Sequence, residues 1–156
     1  MTGPLRLRRD LSRPLPSPDW PGGISLAPFT DGIAPALHAL MAEGYGPGEG
    51  DVSGFEDWWP ALRRDSEFDP QLVFTARAGD GSIAGVCQCW TSAFVKDLVV
   101  APTHRRRGIG AALMLTAFAA FQARGARHVD LKVMPGNARA IALYQRLGMT
   151  EARDAQ

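Results

Sequence analysis

Residues 104–113 read HRRRGIGAAL, three arginines and two glycines running straight into an alanine- and leucine-rich segment. Before them, AFVKDLVVAP (93–102) is an apolar, partly β-branched run closed by Pro102, which predicts a strand. After them, GIGAALMLTAFAAFQARG (108–125) predicts a long helix stopped by Gly125. A turn at residues 105–110, between strand and helix, aims its backbone N–H groups outward at a helix N-terminus. Such a terminus attracts anions. Gly108 and Gly110 let a ligand approach the main chain, and Arg105, Arg106 and Arg107 add charge suited to a doubly anionic group such as a pyrophosphate. A phosphate-bearing cofactor follows. No Gly-Lys-Ser/Thr is present, which excludes a P-loop, and Leu113 stands where a dinucleotide fingerprint needs its third glycine. Taken alone, the ten residues read equally well as a solvated arginine cluster beside a helix start, so the surrounding sequence has to decide.

Downstream, HVDLKVM (128–134) predicts a strand, and NARAIALYQRLG (137–148) a helix with Asn137 as N-cap and Gly148 at the C-terminal cap. Upstream, PQLVFTARA (70–78) and SIAGVCQCWT (82–91) flank GDG, a hairpin signal. Two helices precede that hairpin. TDGIAPALHALMAEGYG (30–46) offers Thr30 or Asp31 as N-cap and the stripe Ile33, Leu37, Leu40, Met41. SGFEDWWPALRRD (53–65) places Ser53 and Glu56 at capping-box spacing, despite Pro60. GISLAPF (23–29) reads as a strand, PLRLRRDL (4–11) as a short edge strand within an extended segment 1–22, and RPLPSPDWPGG (13–23) as linker. The sum is α/β with a mixed sheet: a helical pair, an antiparallel meander, then a β-α-β-α half spanning 93–150.

At 156 residues and 46% hydrophobic, the chain is expected to be a single domain over 1–156. A net charge of +1 argues against a polycation built for nucleic acid or a membrane, and HRRRG lacks the aromatic platform and second basic patch of a nucleic-acid site. The charge is unevenly spread, however. Residues 43–69 hold eight acids against Arg63 and Arg64, whereas 98–129 hold five arginines and no acid. No apolar run is long enough for a secretory signal or a membrane span, so a cytoplasmic protein is expected. Cys87 and Cys89 share a strand face, a poor geometry for a disulfide, and lack further ligands for zinc; they read as reduced core cysteines, with no metal.

DLVVAPTHRRRGIGAALM together with HVDLKVMPGNARAIALYQRLGM resembles the GNAT superfamily of acyl-CoA-dependent N-acetyltransferases. Arg105, Gly108 and Gly110 meet R-x-x-G-x-G. Asn137, Ala140, Leu143, Tyr144 and Gly148 meet N-x-x-A-x-x-L-Y-x-x-x-G-F, with Met149 in place of phenylalanine. The resemblance implies acetyl-CoA as cosubstrate, its pyrophosphate on Arg106, Arg107, Gly108, Ile109, Gly110 and Ala111. It implies a pantetheine arm added as an extra strand to Leu98, Val99 and Val100, one of whose N–H groups polarises the thioester carbonyl. Asn137 would contact the coenzyme, and Tyr144 would protonate the departing thiolate after direct attack by an amine through a tetrahedral intermediate.

Two departures stand out. Lys96 and Lys132 occupy positions where relatives carry a proton-relaying glutamate, which leaves Asp97 as candidate base even though strand alternation turns it from Lys96. The short C-terminus leaves little more than TEARD as a last strand, so a sheet edge awaits either an N-terminal segment or a second copy in a homodimer. The acceptor, a small-molecule or peptide amine, is expected to meet residues 31–64. Their acids, with Tyr45, Phe55, Trp58 and Trp59, suit a cation, although such a Trp-Trp pair also reads as core packing. If Lys96 and Lys132 face the cleft, they suit a carboxylate instead. A second class, an acyl-CoA-binding sensor without catalysis, would account for the two missing carboxylates.

Overall fold

The computed structural model describes residues 3–45 and 52–152. Seven strands, β1 (Leu5–Asp10), β2 (Ile24–Ala27), β3 (Phe68–Ala78), β4 (Ile83–Trp90), β5 (Phe94–Val100), β6 (His128–Val133) and β7 (Thr150–Glu151), form one sheet in the order β2-β3-β4-β5-β6-β1-β7. All pairings are antiparallel except β5 with β6. The helices are α1 (Ala34–Gly44), α2 (Phe55–Arg64), α3 (Ile109–Ala123) and α4 (Ala138–Arg146). The mixed α/β reading holds.

Helix α3 owes its central place to composition. Ile109, Leu113, Met114, Phe118 and Phe121 are buried, so it is apolar nearly all round and sits in the larger core with Leu72, Cys87, Val95 and Leu131. On the other face, Leu37, Leu40 and Met41 of α1 cover Val73, Val86 and Val99. The sheet is thus sealed on both sides.

Three local expectations are corrected. No side chain caps α1: Thr30 makes no cap bond, a single 3₁₀ turn (Asp31–Ile33) intervenes, and the helix starts at Ala34. Nor does Ser53 box α2, whose N-cap is Gly54, one residue later. Segment 5–10 is a strand but no edge: it pairs with β6 over its whole length and with β7 through Leu7–Glu151 and Arg8–Thr150. The exposed side of β6 is therefore covered by the chain's own N-terminal segment, and the edge that suggested a homodimer is occupied.

One buried carboxylate fastens this strand. Arg6 Nε lies 2.7 Å and Arg8 Nε 2.8 Å from opposite oxygens of Asp130, which is 2% exposed. Burial alone would raise the Asp130 carboxyl, but the hydrogen bonds and charges of Arg8 and Arg6 outweigh it and hold it below its ordinary value. A lowered folded value means that this stabilisation is complete above the unfolded carboxylate range and fades as the pH falls through the folded one. Asp130→Ala is expected to cost about 2 kcal/mol in denaturant unfolding, less than the ~3–5 of a fully buried pair because both arginines are partly exposed. The cost should shrink at acid pH. A variant as stable as the parent at pH 7 would show that β1 is held by backbone pairing alone.

Candidate active site

Strands β5 and β6 begin as neighbours and then part. Their only paired residues are Phe94 with Asp130 and Val95 with Leu131, although β5 continues to Val100 and β6 to Val133. A bulge marks the fork. Cys89 pairs with Val95 and Gln88 with Asp97, which leaves Lys96 as an extra residue on β5. Beyond the bulge the alternation is reset: Val95 and Leu98 pack in the α3 core, and Val99 packs under α1. The free edge of β5 and the open end of β6 enclose a cavity of about 760 Å³, closed at one end by the 104–111 loop and along its side by α4.

The loop brings the N-terminus of α3 to one end of the cavity. Arg106 (φ +63°) and Gly108 (φ +89°) both take left-handed backbone just before α3, and no side chain caps this helix, which leaves its first amides without a side-chain acceptor. A Cβ on Gly108 would meet nothing within 4 Å, so open space lies over the helix terminus. Gly108, Ile109, Gly110 and Ala111 all line the cavity, as do Leu98, Val99 and Val100. The three arginines divide. Arg105 lines it, but its guanidinium is bonded to Val100 O (3.2 Å) and Gly44 O (2.7 Å), bracing the loop against β5 and α1. Arg107 turns away to Gly22 O (3.2 Å) and is outside the lining. Arg106 lines the cavity, and among the described residues no hydrogen bond or ion pair engages its guanidinium.

Helix α4 brings Asn137 and Tyr144 to the opposite wall. Asn137 caps the helix, its Oδ1 accepting from Ala140 N at 3.3 Å. Tyr144 follows seven residues later, two turns on, on the same side. Its side chain is 9% exposed and its hydroxyl makes no hydrogen bond among the described residues. Burial, with a smaller push from Cys87, raises the phenol well above the ordinary tyrosine value, so it is a proton donor at neutral pH.

Asp97 does not line the cavity. It lies behind Tyr45, whose hydroxyl donates to Asp97 Oδ1 and which itself lines the cleft. Tyr45 reaches this position because Gly44 lets the end of α1 press onto β5: a Cβ there would fall 2.3 Å from Val99 Cγ1. Burial first, then the Asp97 charge, raise the Tyr45 phenol far above its ordinary value. The Tyr45–Asp97 pair was missed in the sequence, where Tyr45 carried only a possible stacking role. Phe55, Trp58 and Trp59 do not reach the cleft; they pack on one another, His38, Phe29 and Phe68. Of the acid-rich stretch, Glu49 and Asp51 lie outside the described residues, and none of its other members lines the cavity. Cys87 and Cys89 are buried, reduced and 3.7 Å apart at sulfur. Among the described residues no group of three or more His, Cys, Asp or Glu is placed to hold a metal ion, and no helix is long and apolar enough to cross a membrane.

Residues 34–149 match the Acetyltransferase (GNAT) family. The chain is 34% identical over 146 residues to mycothiol acetyltransferase of Clavibacter michiganensis subsp. michiganensis, a match covering 85% of this chain and 44% of that protein. It is 41% identical over 81 residues to streptothricin acetyltransferase of Streptomyces lavendulae, covering 49% of this chain and 43% of that one. The crystal structure of a GCN5-related N-acetyltransferase from Sphaerobacter thermophilus superposes with a TM-score of 0.83 at 30% identity, over 96% of this chain and 48% of that one. The chain spans about half the length of the relatives it matches.

Proposed function

The chain belongs to the GNAT acetyltransferase family, and on that premise we propose that it transfers an acetyl group from acetyl-CoA to the primary amine of a small-molecule or peptide acceptor. The observation that carries the reading is the Tyr144 hydroxyl, which makes no hydrogen bond among the described residues, in a cleft bounded by an open strand edge and a helix N-terminus that no side chain caps. The names of the relatives, mycothiol and streptothricin acetyltransferases, favour a small acceptor.

In this reading the amides of residues 108–111 and the Arg106 guanidinium hold the pyrophosphate, and Asn137 contacts the coenzyme across the cleft. The free main chain of Leu98, Val99 and Val100 pairs with the pantetheine arm, and one of its N–H groups stabilises the oxyanion that forms when the amine attacks. Tyr144 gives its O–H proton to the departing sulfur and regains one from water. Tyr45 and Asp97 take up the proton of the incoming ammonium. The nitrogen's proton passes to the Tyr45 oxygen as the Tyr45 hydroxyl proton passes to the Asp97 carboxylate, which replaces the carboxylates that Lys96 and Lys132 displaced. That route removes the motive for a catalytically silent sensor.

Calorimetric titration with acetyl-CoA and with desulfo-CoA, followed by thiol release across an amine panel, tests the assignment. Binding with release is the expected result; binding without release on every amine would return the sensor. Asp97→Asn is expected to lower kcat/KM by about 10- to 100-fold, with acetyl-CoA affinity retained. An undiminished kcat/KM would exclude the Tyr45–Asp97 route.

A further inference from the structure

The charge of the cleft identifies a second property of the acceptor. Its lining includes Lys96, His104, Arg106, Lys132, Arg139 and Arg146, and no Asp or Glu among the described residues. The phosphates of a coenzyme account for the bases around the 104–111 loop. They do not account for Lys96 and Lys132. Val95 and Leu131 are the last paired residues at the fork, so Lys96 and Lys132 are the next residue on each strand, one on either side of the opening. Four residue steps along β5, about 13 Å at ~3.3 Å each, separate Lys96 from Val100, beyond which the loop begins. Both lysines are thus at the reacting end of the cleft, with the Tyr45 hydroxyl, and away from the pyrophosphate end.

Lys96 is half exposed and its Nζ lies 3.8 Å from Asp97 Oδ1, a loose contact that leaves donors for a ligand. Lys132 is exposed and has no acidic partner among the described residues; its cross-strand neighbour is Arg6, another base, whose own charge is engaged by Asp130. A neutral or purely cationic amine entering here would meet two ammonium groups, while the nearest described carboxylate, Asp97, lies behind Tyr45 and outside the lining. An acceptor that carries an anion beside its amine meets complementary charge.

We propose that the acceptor is an amine bearing a carboxylate within a few bonds of the nucleophilic nitrogen, an amino-acid-like zwitterion, whose carboxylate bridges Lys96 and Lys132 while its nitrogen faces Tyr45. The proposal rests on the transferase reading above and narrows its substrate class. The described acids of segment 43–69 do not oppose it, since none of them lines the cleft.

The test uses the intact protein with saturating acetyl-CoA and compares thiol release on the twenty L-amino acids with release on their carboxamides. Calorimetry of the CoA-loaded protein with the corresponding N-acetyl amino acids and N-acetyl amides gives a readout that needs no turnover. The expected result is that every amino acid used or bound exceeds its amide by about 10- to 100-fold. In Lys132→Gln and Lys96→Gln that ratio falls toward one, chiefly through KM for the acid, and Lys132→Arg restores part of it. Amides equal to or better than acids, an undiminished ratio in both glutamine variants, or no acid used or bound would each overturn the proposal. Acetyl-CoA affinity on the same sample separates the two levels: its absence removes the transferase reading itself, whereas retained affinity with indifferent amides removes only the carboxylate.

Discussion

Tyr144→Phe is expected to lower kcat about 10²-fold while acetyl-CoA affinity stays within about twofold. The size follows from what the hydroxyl does and does not touch. It makes no hydrogen bond among the described residues, so its loss leaves no protein group unsatisfied, and the ring remains packed against the α3 core. What disappears is a proton donor facing the cleft. A coenzyme thiolate is a basic leaving group, and without Tyr144 it must draw its proton from water. Because burial and Cys87 raise the phenol, Tyr144 is deprotonated only above the ordinary tyrosine value. The parent enzyme should therefore show no falling alkaline limb from this residue up to about pH 10. Stopped-flow thiol release with parallel calorimetry checks both statements. Equal rates for the two proteins would leave Tyr144 as a core aromatic with a wet tip, as its place in ALYQRLG also allows.

What the sequence disclosed here was local, and what it withheld was assembly. The strand, loop and helix around HRRRGIGAAL were legible because turn glycines, a terminating proline and an apolar run are signals carried by adjacent residues. Asn137 capped its helix as its position predicted, through Ala140 N. The place of β1 was not legible: its partners Asp130 and Leu131 lie more than 120 residues away, and LRLRRD has no local feature that separates an interior strand from an edge. The bulge at Lys96 was hidden for a related reason, since a bulge is a property of two strands in register. It invalidates the simple alternation used to judge which way Asp97 points. The roles of the three arginines were equally beyond composition. Arg105, Arg106 and Arg107 are adjacent and chemically identical, yet one braces Gly44, one lines the cleft and one bonds Gly22.

Gly108→Val is expected to weaken acetyl-CoA binding by about 100-fold or more, with a much smaller loss of stability. Gly108 is the N-cap of α3 at φ +89°, ψ +9°, and beyond its own chain neighbours no atom of the described residues lies within 4 Å of the position a Cβ would take. No internal clash arises, so the folding cost is that of holding a branched residue in left-handed backbone, about 1–3 kcal/mol. Binding is affected twice over. If the loop keeps its conformation, the valine methyls stand in the open space over the α3 amides, where the phosphate must approach the main chain. If the backbone relaxes to negative φ, the amides themselves turn away. Either response removes the cradle, whereas Gly108→Asn, which tolerates left-handed backbone and offers no branched carbon, should retain part of the affinity. Thermal unfolding alongside calorimetry separates the effects, because a binding loss with the fold intact belongs to the loop. Undiminished affinity in Gly108→Val would mean that the pyrophosphate is held elsewhere, and that the left-handed turn at Gly108 serves only to start a helix.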